Sequence, residues 1–387
     1  MRSVSFIGSN NIQLLSSGAQ FFPALIEALN NAQHEIFLET YIFALDETGV
    51  LVRDALQAAA QRGVEVYVVI DWIGTDRATC KQLTIEFLAA GVHFRIFNPW
   101  FTRGLTRSHR KLCVVDHALA FIGGQNINDD LRSDSEPHGI LEAPRWDFGI
   151  QISGALVATI YIEMTAQWSR IGNMKLKQRW EIFRQTRTVK SNTDRTPAVA
   201  ALVLRDNLRN RRTIQHTYLH ALGHAHHTAL LANPYFAPGR KLRRALTQAA
   251  QRGVKVTLLL GVGQFRSQDL ITQSFYPKLL SCGVRIVEYR KTELHAKVAV
   301  IDDEWATVGS SNYDGLSLFI NQEANVVIKD EQFCSALRLG IEAGIADGTE
   351  IELREFDQVP WTSRLLSGTL FACYRAAIRL ASWSRYD

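Results

Sequence analysis

The chain is poor in cysteine and has no long apolar run. Its five cysteines, Cys80, Cys113, Cys282, Cys334 and Cys373, are scattered over 387 residues, odd in number and never spaced as CxxC. That pattern supports neither a disulfide framework nor a zinc knuckle, and it fits a reducing compartment. No stretch of about 18 consecutive apolar residues occurs. The opening MRSVSFIGSN lacks a basic segment leading into an apolar one. Neither a membrane span nor a secretory leader is expected, so contact with a bilayer would be peripheral. One-sided charge is missing too. A formal net charge of +5 suits an anionic partner without choosing between lipid headgroups and nucleic acid. The apolar fraction of 47% at 21% charge is that of a folded globular protein, long enough to bury two cores of ordinary domain size.

The chain is organised around a stretch that occurs twice. HRKLCVVDHALAFIGGQN (His109 to Asn126) returns as HAKVAVIDDEWATVGSSN (His295 to Asn312). Each copy has a His, a Lys two residues on, an Asp five beyond the Lys, and a small-residue turn closing in Asn. In an alternating apolar strand, side chains at i and i+2 share a face, so His and Lys point together. The rest of the chain repeats around these motifs. LQAAAQRGVEVYVVID (Leu56 to Asp71) is nearly restated by LTQAAQRGVKVTLLLG (Leu246 to Gly261), and GVHFRIF by GVRIVEY. The offset is 190 residues at Gln61 and Gln251, 192 at Gly91 and Gly283, and 186 at His109 and His295. Register held over that span implies two homologous domains, related by a pseudo-two-fold axis that brings both motifs to one cleft.

Within each half, strands alternate with helices. IQLLSSG (from Ile12) reads as a strand, FFPALIEALNNA (from Phe21) as a helix, then a strand through HEIFLETYIF, a helix stopped by Gly63 and a buried strand. AALVLRD (from Ala200) opens the same order again. This is a layered α/β pattern. Between the halves, residues 172–197 lose core periodicity and are rich in basic and turn residues, as a linker would be.

A phosphodiester repels nucleophiles with its charge and has a poor leaving alkoxide. Catalysis therefore needs a neutral nucleophile, cations on the non-bridging oxygens and a proton donor opposite. His109 and His295 can supply nucleophile and acid. Lys111 and Lys297 are phosphate clamps, and Asn126 and Asn312 are neutral donors on the turns. Each imidazole also needs a carboxylate to hold its tautomer. The candidates are Glu323, 28 residues past His295, and Asp147, 38 past His109, the difference being taken up by a polar loop, DDLRSDSEPHGILEAPRW, that would overhang the cleft.

The paired H-x-K-x4-D motifs resemble those of the phospholipase D superfamily. AAQRGV, FIGGQN, WATVGSSN and QEANVVI are similar to segments of bacterial cardiolipin synthases, and the likeness runs from about Ile12 to Asp347. The resemblance implies two phospholipase D-like α/β/α domains with the active site at their interface, residues 1–171 and 198–347 about the linker, and a tail from 348 to 387. It implies a phosphatidyltransferase that needs no metal or other cofactor and turns phosphatidylglycerol into cardiolipin, releasing glycerol through a phosphatidyl-histidine. His109 is then the nucleophile and His295 the acid, although pseudo-symmetry leaves that order open. The implied site is peripheral to the cytoplasmic face of a bacterial membrane, on an anionic lipid surface, with no nucleic acid partner. The rival readings are a hydrolytic phospholipase D or nucleic-acid phosphodiesterase, and an inactive membrane scaffold. Asp116 and Asp302 belong to the family's catalytic motif, yet their odd offset from each Lys turns them to the other strand face, where bracing is expected.

Three further features are weighed against this. His216, His220 and His224 recur at i, i+4 and i+8, a spacing that can bind zinc, but with no acidic or Cys ligand beside them a surface helix is expected. NPWFTRGLTRS, ahead of His109, mixes Trp100 and Phe101 with Arg103 and Arg107, as a bilayer-facing loop would; packing of Trp100 into the domain interface is the alternative. The tail from Trp361 to Trp383 places Arg364, Arg375, Arg379 and Arg385 opposite Leu365, Leu366, Leu370, Cys373, Ala377 and Leu380. It reads as a basic amphipathic helix in the headgroup plane, the alternative being a terminal helix packed on the second domain.

Overall fold

A computed structural model of the chain describes residues 4–133, 139–172, 198–207, 210–354, 368–374 and 376. The first half runs β1 (Ile7–Ser16), α1 (Ser17–Asn31), β2 (Glu35–Thr40), α2 (Glu47–Gln61), β3 (Glu65–Asp71), α3 (Arg77–Ala89), β4 (His93–Phe97), β5 (Leu112–Val115), β6 (Leu119–Gly123), β7 (Phe148–Gly154) and α4 (Ala155–Ile171). The second half repeats it. It runs β8 (Ala198–Arg205), α5 (Thr213–His224), β9 (Thr228–Asn233), α6 (Arg240–Gln251), β10 (Lys255–Gly261), α7 (Arg266–Gln273), α8 (Tyr276–Leu280), β11 (Arg285–Tyr289), β12 (Val298–Ile301), β13 (Trp305–Gly309), α9 (Gly315–Phe319), β14 (Glu323–Lys329), α10 (Glu331–Ala346) and a short β15 (Thr349–Glu350).

The strand order makes the repeat explicit. From the centre outward, the first half reads β1-β7-β6-β5-β2-β3-β4 and the second β8-β14-β13-β12-β9-β10-β11. In each, β2-β3-β4 or β9-β10-β11 are parallel and joined by helices, as parallel strands require, the inner strands are antiparallel, and in the second half the two-residue β15 adds antiparallel to β11 at the outer edge. The repeated QRG is a helix-end device. Gly63 and Gly253 lie at φ 92° and 96°, the left-handed position that follows a helix C-terminus. The arginine before each glycine donates to a carbonyl near the end of the preceding helix, Arg62 to Leu29 at 3.1 Å and Arg252 to Leu222 at 2.7 Å.

The two sheets are continuous through an antiparallel edge, Ile7 with Ala200 and Asn10 with Ala198, so that fifteen strands form one sheet among the described residues. Three apolar clusters follow. The outer face of each sheet is covered by its own helices. The inner faces of both halves share one core with α4 and α10, in which Ile122, Ile150 and Ile152 join Val298, Val308 and Val326. That shared core sets the motifs of the two halves against each other.

The linker reading falls on residues 173–197 and, like most of the tail, lies outside the described residues. The described piece of the tail packs on the second half. Phe371 meets Phe275 edge-on at 4.8 Å, and the Tyr374 hydroxyl accepts from the Gly315 amide at 2.7 Å. Cys373, expected on the apolar side, is exposed; the inward stripe is Phe371 and Tyr374, three residues apart on one helix face.

Candidate active site

The two motifs meet because each crosses to the other half before entering its own sheet. β5 begins at Leu112 and β12 at Val298, so the His and Lys precede the strands instead of lying within them. The reason is a pair of single parallel bridges, Ser108 with Gln322 and Leu294 with Trp146. The His109 amide donates to the Gln322 carbonyl and the His295 amide to the Trp146 carbonyl, both at 2.9 Å; in return the Gln322 amide donates to Arg107 (2.8 Å) and the Trp146 amide to Glu293 (2.9 Å). One residue past each bridge stands an acid, and it faces the opposite imidazole. His109 Nδ1 lies 3.0 Å from Glu323 Oε2, and His295 Nδ1 lies 2.7 Å from Asp147 Oδ2. The acids thus serve the His of the other half, crosswise, and not the His of their own motif.

The lysines sit beside them. Lys111 and Lys297 are 4% and 1% exposed, and each Nζ donates to the carbonyl of its own His. Their charges act across the cleft. Burial and then the cations Lys111, Lys297 and Arg107 hold the His109 pKa well below the usual 6.5. At neutral pH this imidazole is uncharged.

The two carboxyls differ. Burial pushes Glu323 up to about 8, against Lys111, the hydroxyls of Ser310 and Ser317, and Arg205. Burial also works against ionisation of Asp147, but the charge and hydrogen bond of His295, with Lys297 and the Phe148 amide, outweigh it and hold Asp147 below the usual value. His295 therefore rests on a carboxylate and His109 on a carboxyl that keeps its proton near neutrality. Ser310 Oγ shares Glu323 Oε2 at 2.5 Å. Its counterpart in the first half is Gly124, where an added Cβ would stand 2.3 Å from Asp147 Oδ1.

Asp116 and Asp302 are not in the cleft. They open three-residue hairpin turns at φ 49° and 52°, a left-handed conformation that Asp tolerates better than most residues. Asp116 accepts from the amides of Gln33, His34 and Glu35 at 2.8 to 2.9 Å. Asp302 does the same for His226, His227 and Thr228 at 2.6 to 2.8 Å. They tie the start of β2 and β9 to the hairpin turns, at the end of the strands away from the histidines. The strand-face parity that suggested bracing does not apply, because His, Lys and Asp all lie outside the strands; what occupies each carboxylate is a set of three backbone amides. Asn126 and Asn312 are buried on their turns; Asn126 Oδ1 accepts weakly from the Ile42 amide at 3.3 Å, and Asn312 Oδ1 is a buried acceptor without a partner among the described residues.

Several residues around the motifs carry no sequence signal. Tyr41 meets the His109 ring at 4.9 Å between centroids, 66° between planes, and its hydroxyl accepts from Arg107 at 3.1 Å. Behind the first motif, buried Arg110 pairs with buried Glu39 at 2.8 Å, Ser108 Oγ donates to the same carboxylate at 2.5 Å, and the Ser108 amide donates to Asp71 at 2.6 Å. The second half has no such pair. Glu39 faces Leu112 across the sheet as Ala232 faces Val298, and Ala296 follows His295 as Arg110 follows His109. Removing one partner of a buried ion pair strands the other, at about 3–5 kcal/mol, whereas the second half folds with alanine at both positions. We expect Glu39→Ala to destabilise by about that much and the Glu39→Ala/Arg110→Ala double variant by clearly less, as read by denaturant unfolding; equal losses would contradict this.

The described ends of the polar loop after the first motif contact the second half. Glu293, just before the second motif, pairs with Arg145 at 3.3 Å and accepts from Ser133 Oγ at 2.5 Å, and Thr292 Oγ1 donates to the Ala143 carbonyl at 2.7 Å. Trp100 is 70% exposed and packs, tilted, against Trp72 and under Arg77 at the surface, not in the domain interface; Phe101 and Leu105 beside it are exposed as well. His216, His220 and His224 line an open cavity of about 920 Å³ at the far end of the second half, beside the Asp302 turn. Among the described residues no three ligand-type side chains are grouped to hold a metal there or elsewhere, and no helix is long and apolar enough to cross a membrane.

Comparison with known proteins agrees with this geometry. Residues 25–136 and 218–342, one segment from each half, match the family described as "Cardiolipin synthase, PLD-like domain". Cardiolipin synthase B of Escherichia coli (strain K12) is 35% identical over 382 residues, covering 97% of this chain and 90% of that protein. Cardiolipin synthase 1 of Bacillus anthracis is 28% identical over 363 residues, covering 92% and 70%. The crystal structure of phosphatidylserine synthase from Haemophilus influenzae Rd KW20 superposes with a TM-score of 0.71 at 17% identity, over 98% of this chain and 97% of that one; that likeness is one of fold. With two intact motifs crossing at one cleft, two matched segments and a full-length relative at 35% identity, the chain belongs to the cardiolipin synthase family of phospholipase D-like enzymes.

Proposed function

We propose that this enzyme makes cardiolipin by moving a phosphatidyl group from one phosphatidylglycerol to the terminal hydroxyl of another. In the first step His109 Nε2 attacks the donor phosphorus, a P–N bond forms, the P–O bond to glycerol breaks, and His295 gives its proton to the departing oxygen. In the second, His295 takes the proton of the acceptor hydroxyl, whose oxygen displaces His109. The P–N bond conserves the energy of the diester, so no nucleotide is consumed. Lys111 and Lys297 hold the non-bridging oxygens, with the amides of Asn126 and Asn312 as neutral donors.

The observation that carries this division of labour is the unequal pairing of the imidazoles. A nucleophile must be neutral, as His109 is, and an acid needs a carboxylate behind it, as His295 has in Asp147, whose pKa is held below the usual value. The reading also places the enzyme on the cytoplasmic face of a bacterial membrane, held by anionic lipid. Exposed Trp100, Phe101 and Leu105 on the loop leading to His109 support a mouth turned to the bilayer, where water is scarce and a lipid alcohol wins over hydrolysis.

The test is direct. Purified protein is incubated with phosphatidylglycerol vesicles and, separately, with plasmid DNA. Cardiolipin and free glycerol in equal amounts are expected, with intact DNA. Nicked DNA with unchanged lipid, or phosphatidic acid as the main product, would overturn the reading.

A further inference from the structure

The two half-sites are not equal in charge at their rims. Arg107, His109 and Lys111 alternate along one extended segment, and the matching segment reads Glu293, His295 and Lys297. The hydrogen bonds already described fix this equivalence, since Gln322 bonds the Arg107 carbonyl as Trp146 bonds that of Glu293. Glu293 is neutralised by buried Arg145. No carboxylate forms an ion pair with Arg107 among the described residues, although it lies close enough to lower the pKa of both Asp71 and Asp314 by its charge. Exposure rises from Lys111 (4%) through His109 (9%) to half-buried Arg107, so the segment climbs from the floor of the cleft toward its mouth. The guanidinium rests on the Tyr41 hydroxyl, one aromatic ring away from the His109 imidazole. It is a third cation at the centre, beyond the pair that clamps the reacting phosphate.

Resting on the phosphatidyltransferase reading above, we propose that Arg107 binds the phosphate of the acceptor lipid and so selects an anionic glycerophosphate acceptor over a neutral alcohol. Making cardiolipin brings two phosphodiesters together, a three-carbon bridge apart, whereas hydrolysis or transfer to a simple alcohol involves one. The acceptor's own phosphate must lie nearer the mouth than the reacting phosphorus, because its acyl chains leave toward the bilayer. Arg107 stands at that level, with its backbone carbonyl bonded to Gln322 of the second half and its charge felt there at Asp314. A planar guanidinium is suited to a diester by paired hydrogen bonds. In the transfer step the acceptor oxygen forms the new P–O bond, the P–N bond to His109 breaks, and the proton goes to His295. Arg107 takes no part in that exchange beyond positioning.

The experiment is a partition. Mixed micelles of phosphatidylglycerol and nonionic detergent are supplied with ethanol as a neutral competitor, and cardiolipin and phosphatidylethanol are counted from one reaction. Both arise from the same covalent intermediate, so any effect of a variant on the first step, on the His109 pKa or on the folded fraction cancels in their ratio. For Arg107→Gln the cardiolipin to phosphatidylethanol ratio is expected to fall about tenfold or more, the loss of a charge-assisted contact, and Arg107→Lys is expected to restore part of it. An unchanged ratio in both variants, including a proportional fall of both products, overturns the proposal. Wild-type protein forming neither product would overturn the phosphatidyltransferase reading instead.

Discussion

Phosphatidyl transfer is expected to fall by roughly 10⁴-fold or more when His109 is replaced by alanine, because the proposed covalent route is removed outright. The expected loss is in kcat. Lys111, Lys297 and Arg107 remain to hold the lipid phosphate, so vesicle binding changes little by comparison. The fold has little reason to fail, since the contact that seats His109 is its backbone amide on the Gln322 carbonyl, which alanine keeps. The pH profile of the native enzyme belongs to the same argument. A His109 pKa held below its usual value means that the nucleophile is already neutral at pH 6.5, so the acid limb of kcat/KM lies below that pH. Substituting Arg107 or Lys111 by a neutral residue moves the limb upward, since each cation removed lets the imidazole protonate more readily. Steady-state cardiolipin formation between pH 5 and 8, with the donor below its KM, reads both effects.

The second large effect separates two substitutions that look equivalent on paper. Asp147→Asn is expected to lower kcat on the order of 10³–10⁴-fold, as amides do when they replace the carboxylate that orients and stabilises a catalytic imidazole. Glu323→Gln is expected to lower it by less than about tenfold. The difference follows from protonation. Asp147, beside His295, is held below the usual value and is ionised near neutrality, and asparagine removes that charge. Glu323 is pushed up to about 8, so near neutrality it is largely the neutral acid, for which glutamine is a close isostere that still accepts from His109 Nδ1 and Ser310 Oγ. Equal losses at the two positions would mean that both carboxyls are ionised in the working enzyme, and the assignment of nucleophile and acid would lose its support. Exchange of roles would show as the reverse ranking.

Much of the fold was legible in the residues. Repeated segments such as AAQRGV return in matching elements because each copy does the same local work, with Gly63 and Gly253 ending helices and Arg62 and Arg252 tying them back to their neighbours. The histidines, lysines and both acids could be picked out, since their chemistry needs those side chains near a short turn. Which acid serves which His could not. That choice depends on single backbone bridges at Ser108 and Leu294 to the opposite half, and a backbone bridge leaves no pattern in side-chain type. The edge pairing of β1 with β8 was hidden for the same reason. Arg107 lies in a loop whose mix of aromatic and basic residues points to the bilayer, and the repeat offers Glu293 where a matching cation would draw notice. The tail shows a further limit. Helical periodicity sets an apolar side without saying what that side meets, and the contact that holds the described piece is aromatic, Phe371 against Phe275.

Bracing residues near a motif are easily mistaken for its chemistry. Asp116 and Asp302 recur at matched positions as faithfully as the histidines do, yet each spends its carboxylate on three backbone amides of the neighbouring strand. Recurrence within the chain therefore marks a shared structural need here as much as a shared reaction, and the direction of the side chain decides between them.

The proposed route passes one phosphorus atom through a covalent bond to His109, with His295 as its proton partner. Mass spectrometry after rapid quenching, under conditions that preserve phosphoramidate bonds, tests it on native protein held in molar excess over phosphatidylglycerol, where few acceptors remain to release the adduct, and on His295→Ala protein, in which both proton transfers are slowed. A phosphatidyl group on the peptide containing His109, with release of an equal amount of glycerol, is the predicted result. A phosphatidyl group on any other residue, or glycerol released with no adduct in the native and the variant protein alike, would contradict it.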